Sequence, residues 1–288
     1  MTSPPRLLGT RAELRSACDA AREAGKTVGI VPTMGALHAG HLSLIERARQ
    51  EGATFVVVTI FVNPLQFGEG EDLARYPRTL SADIEACTGA LVDVVFVPDD
   101  GEMYDANFAT TVAVSGMTTD LEGAHRPGHF DGVTTVVAKL LCLTAPTIAV
   151  FGRKDHQQQA VIHRMATDLG IRARVVAAPT IREKDGLALS SRNLYLAPDE
   201  RKRATGIVEG LRAADALFRH GERNPGTLAE AAREKVAAAF DTVDYVEAVD
   251  PTTLAPVPDG ASSILIVVAA HIGGTRLIDN AILGEDRL

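Results

Sequence analysis

The sequence predicts an α/β protein: a doubly wound, mostly parallel sheet, followed by a smaller C-terminal α+β unit. Three observations carry this. Strand and helix signals alternate over the first 180 residues. Thr54–Val62 (TFVVVTIFV) is apolar without alternation, which suits a strand covered on both faces. After about Thr180 the texture changes to long helical stretches and a cluster of strands.

Each element has a local signal. Thr10 and Glu13 fit a capping box for a helix that carries Leu14, Ala17, Cys18 and Ala21 on one face; Gly25 ends it. Thr27–Val31 is a short apolar strand, and a loop punctuated by proline and glycine leads to a helix from about Gly40 to Gln50. Further strands are predicted at Thr54–Val62, Val92–Val97, Thr147–Val150 and Arg172–Ala177. Helices are predicted at Ser81–Thr88, Val133–Leu143 and His156–Leu169. Such alternation implies parallel strands joined by crossovers. Beyond Thr180, Pro198 opens a helix to Arg219, and Thr227 with Glu230 reads as a second capping box, for a helix ending near Phe240. Asp244–Val249, Ile264–Ala270 and Arg276–Ile278 look like strands. The expected domains are therefore residues 1–180 and 181–288, and a cleft between two such domains is a common place for a ligand.

Composition narrows the function classes. The 288 residues are 46% hydrophobic and 23% charged, which excludes a disordered, collagenous or disulfide-stapled chain. A net charge of −8 argues against broad binding to nucleic-acid backbones or anionic membranes. An anionic ligand must then be held by a local cluster of donors. Cys18, Cys87 and Cys142 share no metal spacing and read as small buried side chains of a reducing compartment. No apolar run approaches the roughly 18 residues of a membrane span. The N-terminus lacks an apolar leader, so a soluble, cytoplasmic protein is expected.

Chemistry-bearing residues gather at strand ends. Pro32-Thr33-Met34-Gly35-Ala36-Leu37-His38-Ala39-Gly40-His41 joins a buried strand to a helix. Gly35 and Gly40 permit close backbone approach, and the helix start offers free N–H groups where a phosphate would lie. His38 and His41 could donate to a phosphate that gains charge in a transition state. A zinc pair lacks further ligands at suitable spacing, and structural histidines are the plainer alternative. Leu189-Ser190-Ser191-Arg192-Asn193 is a donor-rich loop suited to a polyphosphate. Phe151-Gly152-Arg153-Lys154-Asp155-His156-Gln157-Gln158 follows a strand at the sheet edge where such folds bind ligands. There Lys154 offers a point charge, Asp155 an acceptor for a ribose hydroxyl, and Gln158 a neutral two-way hydrogen-bonding group. Asn63 and Gln66, in Phe61-Val62-Asn63-Pro64-Leu65-Gln66-Phe67, could orient a small polar acid or simply shape a turn. Asp83 is a candidate magnesium ligand, or an ordinary first-turn helix acid. Glu122 to Gly132 reads as a mobile or gating loop, in which His125 and His129 supply loop polarity.

Taken together, PTMGALHAGH, FVNPLQF, YPRTL, EGAHRPGHFDGV, FGRKDHQQ and REKDGLALSSRNLYL resemble the pantoate–β-alanine ligase (pantothenate synthetase) family, in order over nearly the whole chain. HIGGTRLIDN resembles the family's C-terminal end. His-x-Gly-His alone marks a wider nucleotidylyltransferase superfamily with a Rossmann-like sheet. The resemblance implies a two-step ligation. Pantoate is adenylated by ATP, and β-alanine then displaces AMP to give pantothenate. It also implies roles. His38, His41, Lys154 and Arg192 would be catalytic. ATP would meet Pro32, Thr33, Met34, Gly35, Gly152, Lys154, Asp155, Ile181, Leu189, Ser190, Ser191 and Arg192. Pantoate and β-alanine would meet Met34, Asn63, Gln66, Arg126 and Gln158. Leu189-Ser190-Ser191-Arg192 stands where the superfamily has a lysine-rich phosphate loop, so Lys154 would share that task. Some members carry two adjacent acids where this chain has Ala82-Asp83; Asp83 would meet magnesium. The smaller domain would close over the ATP site, and the enzyme would be a homodimer.

Two other readings compete. A related transferase would need extra basic residues for an acceptor phosphate, whereas the segments around Gln66 and Gln158 offer neutral amides. A catalytically dead nucleotide-binding regulator would not need His38, His41, Lys154 and Arg192 intact. Transfer-RNA charging is disfavoured by the −8 charge and the lack of an anticodon-binding domain.

Overall fold

The computed structural model describes residues 3–286 and 288, which divide into two compact units. The first comprises the chain up to Arg153 together with Val161–Ala178. The second comprises Lys154–Ala160 and Pro179–Leu288.

The first unit is the expected doubly wound sheet. In chain order its elements are β1 (Arg6–Leu8), α1 (Arg11–Glu23), β2 (Val28–Thr33), α2 (Ala39–Gln50), β3 (Phe55–Ile60) and α3 (Leu80–Gly89). Then come β4 (Val94–Phe96), the short α4 (Asp100–Met103) and α5 (Glu122–His125), α6 (His129–Thr144), β5 (Ile148–Gly152), α7 (His156–Asp168), whose residues up to Ala160 fall in the second unit, and β6 (Arg174–Ala178). The strand order is β1-β4-β3-β2-β5-β6, and every pairing is parallel. The order reverses between β2 and β5, which is where sheets of this kind open a crevice at their carboxyl ends.

Alternate residues along the strands feed two separate cores. Ile30, Val57 and Phe96 pack with α1 and α6, while Val31, Val58 and Val95 pack with α2 and Cys87 of α3. That two-sided burial explains the unbroken apolar run in β3. The Thr10–Glu13 capping box forms as expected, with both reciprocal hydrogen bonds present.

Four expectations need correction here. The edge strand β1 went unrecognised, because three residues after a Pro-Pro pair give no usable period. Cys18 and Cys87 are buried, their thiols pushed up to about 11 by burial, but Cys142 is exposed on α6. α6 starts at His129, four residues earlier than the apolar pattern suggested. Gly132 is not a loop residue but lies inside that helix, where a Cβ would sit 2.2 Å from the Leu65 carbonyl oxygen and 2.6 Å from the Gln66 nitrogen. The absent side chain lets the Pro64–Gln66 turn rest directly on α6.

The second unit holds α8 (Pro198–Arg203), α9 (Gly206–Arg219), α10 (Pro225–Ala239) and the antiparallel sheet β7 (Thr242–Val249), β8 (Leu265–Ile272), β9 (Thr275–Ile282). Its core joins Ile207, Leu211, Leu228 and Val236 of the helices to Val246, Ile266, Val268 and Leu277 of the sheet. Two helix boundaries differ from the sequence reading. The expected helix from Pro198 to Arg219 breaks at Ala204–Thr205. Beyond the break, Gly206 and Gly210 bring α9 against α10 so closely that a Cβ would meet Ala239 Cβ at 2.3 Å and the Ala232 carbonyl oxygen at 2.6 Å. The cap of α10 is Asn224, which accepts from Thr227 N–H at 2.9 Å, with Pro225 in the first turn. Thr227 is thus inside the helix, and its spacing to Glu230 is not a cap.

Gly132→Ala should lower the urea midpoint, at a cost of about 1–3 kcal/mol from overpacking against the Leu65–Gln66 backbone. An unchanged midpoint would mean that the turn moves off α6 freely.

Candidate active site

The loop after β2 is shaped by backbone strain and by one carboxylate. Gly35 (φ 84°) and Ala36 (φ 51°) are both left-handed, so successive N–H groups converge on one side. Asp83, in the first turn of α3, fills that concavity. Its Oδ2 accepts Ala36 N–H at 3.1 Å, its Oδ1 accepts Leu37 N–H at 2.8 Å, and Thr79 Oγ1 donates to Oδ1 at 3.2 Å. Thr33 completes the loop: its hydroxyl donates to the Thr59 carbonyl at 2.6 Å and accepts Gly35 N–H at 3.1 Å.

The sequence leaves Asp83 as a magnesium ligand or an ordinary first-turn helix acid. Asp83 is 2% exposed and both its oxygens serve the chain's own donors. Among the described residues no three His, Cys, Asp or Glu side chains group to hold a metal.

The loop delivers two imidazoles to the start of α2. His38 is the N-cap and accepts Gly40 N–H on Nδ1 at 3.1 Å. His41, in the first turn, accepts His38 N–H on its own Nδ1 at 3.3 Å. The rings stack at 4.2 Å between centroids, tilted by 39°. A nitrogen that accepts cannot carry the proton of a neutral ring, so this reciprocal cap selects the tautomer with hydrogen on Nε2 for both histidines. Two Nε2–H donors are thereby held beside the N-terminus of a helix at the sheet's switch point.

Gln66 sits on the turn after β3. Its Nε2 lies 3.2 Å from Met34 Sδ, and its Oε1 accepts from Asn63 Nδ2 at 3.1 Å. Asn63 is 1% exposed. Its amide also donates to the Gly132 carbonyl at 3.1 Å, and its Oδ1 accepts from Tyr104 Oη at 2.8 Å and from Leu65 N–H at 3.3 Å. Asn63, a substrate contact or a turn residue on the sequence reading, thus holds the Gln66 side chain within the chain.

Arg126 is likewise engaged within the chain. Its guanidinium grips Glu71 with two bonds of 2.6 and 2.8 Å, and donates to the Gln66 carbonyl at 3.2 Å. Burial raises the Glu71 carboxyl, but the guanidinium outweighs it and holds the group below its usual range. His129 is 9% exposed, so loop polarity does not describe it, although it suits exposed His125. Its Nδ1 meets the Gln66 carbonyl at 2.8 Å and its Nε2 meets Arg126 Nη1 at 3.3 Å. Burial lowers its pKa, favouring the neutral ring that this geometry requires. Arg126 and His129 thus brace the Gln66 backbone carbonyl.

The second unit carries the other predicted residues. Lys154 and Asp155 form a 3₁₀ turn before α7, and Gln158 follows in its first turns, all half-buried. Gly152 ends β5 in the first unit. Ile181 and Leu189 close a hairpin, with Leu189 N–H donating to the Ile181 carbonyl at 2.9 Å. Ser190 caps the Ser191–Tyr195 turn, accepting Arg192 N–H on its hydroxyl at 3.3 Å. Arg182 pairs with Asp279 at 2.5 Å, and Asn280 donates to the Lys154 carbonyl at 2.7 Å. Sequence reasoning missed Thr33, Glu71, Tyr104, Asp279 and Asn280 in these bracing roles. Only the last two left a signal, as polar residues within an otherwise strand-like run.

Known proteins agree with this architecture. The family model described as pantoate-beta-alanine ligase matches residues 6–282. A pantothenate synthetase from Moorella thermoacetica is 49% identical, covering 96% of this chain and 98% of its own. The crystal structure of pantothenate synthetase from Thermus thermophilus superposes with a TM-score of 0.91 at 47% identity, covering 96% of this chain and 99% of its own. The Francisella tularensis pantoate-beta-alanine ligase, complexed with Beta-gamma ATP and Beta-alanine, gives 0.82 at 32% identity, covering 98% and 99%. Over this length and at this identity, the chain belongs to the pantoate–β-alanine ligase family.

Proposed function

We propose that this ligase joins pantoate to β-alanine in two half-reactions. The pantoate carboxylate attacks the α-phosphorus of ATP, forming pantoyl adenylate and releasing pyrophosphate. The amine of β-alanine then attacks the acyl carbon, and AMP leaves as pantothenate forms. The observation that carries this reading is the paired Nε2–H donors of His38 and His41 at the start of α2. Held in one tautomer, they would receive the charge that builds on the α-phosphate oxygens. Thr33, Met34, Gly35 and Pro32 would line the nucleotide alongside them.

The remaining roles follow from chemistry. Gln66 would read the hydroxyls and carboxylate of pantoate in the first unit, with Gln158 doing so in the second. Lys154, Ser190, Ser191 and Arg192 would hold the β- and γ-phosphates, and Gly152 with Asp155 the ribose; Ile181 and Leu189 would border the base. Magnesium would arrive on the phosphates of ATP, since the described residues offer it no cage. Adenylation already activates the acyl group, so no protein nucleophile is needed. The reading carries with it a homodimeric, cytoplasmic enzyme. No described helix is long and apolar enough to cross a membrane.

His38→Ala and His41→Ala should each lower turnover by roughly 10²–10³, while the KM for ATP moves little. Near-normal turnover in either variant removes that histidine from the mechanism. Labelled pyrophosphate should exchange into ATP when pantoate and magnesium are present and β-alanine is absent. Exchange that waits for β-alanine would replace the adenylate with a concerted transfer, and exchange driven by a phosphorylated acceptor would favour a nucleotidylyltransferase. Asp83→Asn turns one acceptor into a donor facing a backbone N–H. It should cut kcat at least about tenfold by loosening the histidine loop, with the magnesium concentration for half-maximal rate unchanged. A raised magnesium requirement would restore Asp83 as a metal ligand.

A further inference from the structure

Two adjacent polar residues near the end of β9 are buried, and the reaction as described leaves them unused. Asp279 and Asn280 are 2% and 5% exposed. Successive side chains of a strand point to opposite faces, so this pair reaches in two directions at once. Asp279 shares its face with Leu277 and Ala281, both members of the second unit's core. There it meets Arg182 with two bonds, at 2.5 and 3.1 Å, and Arg182 also donates to the Gly186 carbonyl at 3.1 Å. That guanidinium stands at the base of the hairpin that ends at Leu189 and leads into Ser190. β9 also packs against the Ser191–Tyr195 turn. From the opposite face, Asn280 Nδ2 donates to the carbonyl oxygen of Lys154 at 2.7 Å. The Asn280 backbone is itself tied to Asp279, through an N–H bond to Oδ1 of 2.8 Å.

One short stretch of strand therefore fixes the backbone at Lys154 and the base of the loop that carries Ser190, Ser191 and Arg192. A lysine side chain is long and flexible, so where its ammonium dwells depends on how firmly its own backbone is held. We propose that Asn280 is a positioning residue for ATP: through the Lys154 carbonyl it presets the lysine for the β- and γ-phosphates, while the Asp279–Arg182 pair keeps the second phosphate loop in register with it. This rests on the reading of Lys154 as a phosphate ligand.

The test is a mutant cycle on the full chain, with MgATP as the probe and pantoate omitted, read by calorimetry and then by steady-state kinetics. Asn280→Ala removes the donor. Asn280→Asp keeps the volume but sets a carboxylate against the Lys154 carbonyl. Both should weaken MgATP binding and raise its KM by about five- to tenfold, leaving the KM for pantoate unmoved. In a Lys154→Ala background, Asn280→Ala should add no further loss. Thermal unfolding identifies any variant that has lost its fold, and the two Asn280 variants should agree. If Lys154→Ala loses MgATP but the Asn280 variants bind it normally, or if the losses simply add, Asn280 is structural and the proposal falls alone. If pantoate and ATP weaken together, the proposal also falls. If Lys154→Ala binds MgATP normally, the phosphate reading of Lys154 fails first and takes the proposal with it.

Discussion

The carboxylate of Asp83 is the constraint on which the first unit's chemistry depends. Left-handed backbone at a residue with a Cβ costs on the order of 1 kcal/mol, and Ala36 adopts it directly after Gly35. That conformation turns two consecutive N–H groups inward, where water does not satisfy them. Asp83 accepts both. A Cβ on Gly35 would lie 3.1 Å from the same carboxylate, so the glycine supplies the space as well as the φ. The switch-point loop and the first turn of α3 thus form one hydrogen-bonded piece. Removing the acid would leave two buried donors unpaired, each at about 1–3 kcal/mol.

What that piece delivers is orientation rather than charge. A histidine at a helix start is common enough; two whose Nδ1 atoms accept the backbone N–H groups of Gly40 and His38 have lost the freedom to choose a tautomer. Gln66 is prepared by a parallel device. Asn63 holds its side-chain oxygen, while Arg126 and His129 hold its backbone carbonyl from α6 and the turn before it. Gly132 brings that helix close enough for them to do so. Each group that faces a reactant on the proposed reading is therefore backed by residues with no reason to touch one.

That layering explains what could be read in the sequence and what could not. β3 was legible because burial on both faces leaves a nine-residue apolar run in the chain. α1 was legible because its cap and its apolar face are both local patterns. The histidine loop stood out because glycine, proline and paired histidines at a strand end are a local signal too. Asp83, Glu71 and Asn280 act across 46, 55 and 126 residues of chain, and nothing local marks which partner they take. Gly132 reads as a loop residue for the same reason, since a glycine that admits a distant backbone looks in the sequence like one that frees a loop. Arg126 and Asn63 stand in the sequence as donors, and nothing local shows which partners within the chain they take.

The distribution of charge carries the argument further. The chain has a net charge of −8, yet on the proposed reading its reactants include a polyphosphate and a carboxylate. On that reading, cationic side chains such as Lys154 and Arg192 would attract ATP before and during reaction alike and so contribute mainly to binding. A neutral Nε2–H donor interacts modestly with the ground-state phosphate and more strongly as negative charge accumulates on its oxygens. Its contribution is thus weighted toward the transition state, provided it does not have to reorient. The reciprocal cap of His38 and His41 meets that condition, and Asp83 fixes the loop that sets the cap. On the proposed reading, neutral donors fixed at the α-phosphorus, with Lys154 and Arg192 on the leaving pyrophosphate, would let an acidic protein activate a carboxylate with a polyphosphate.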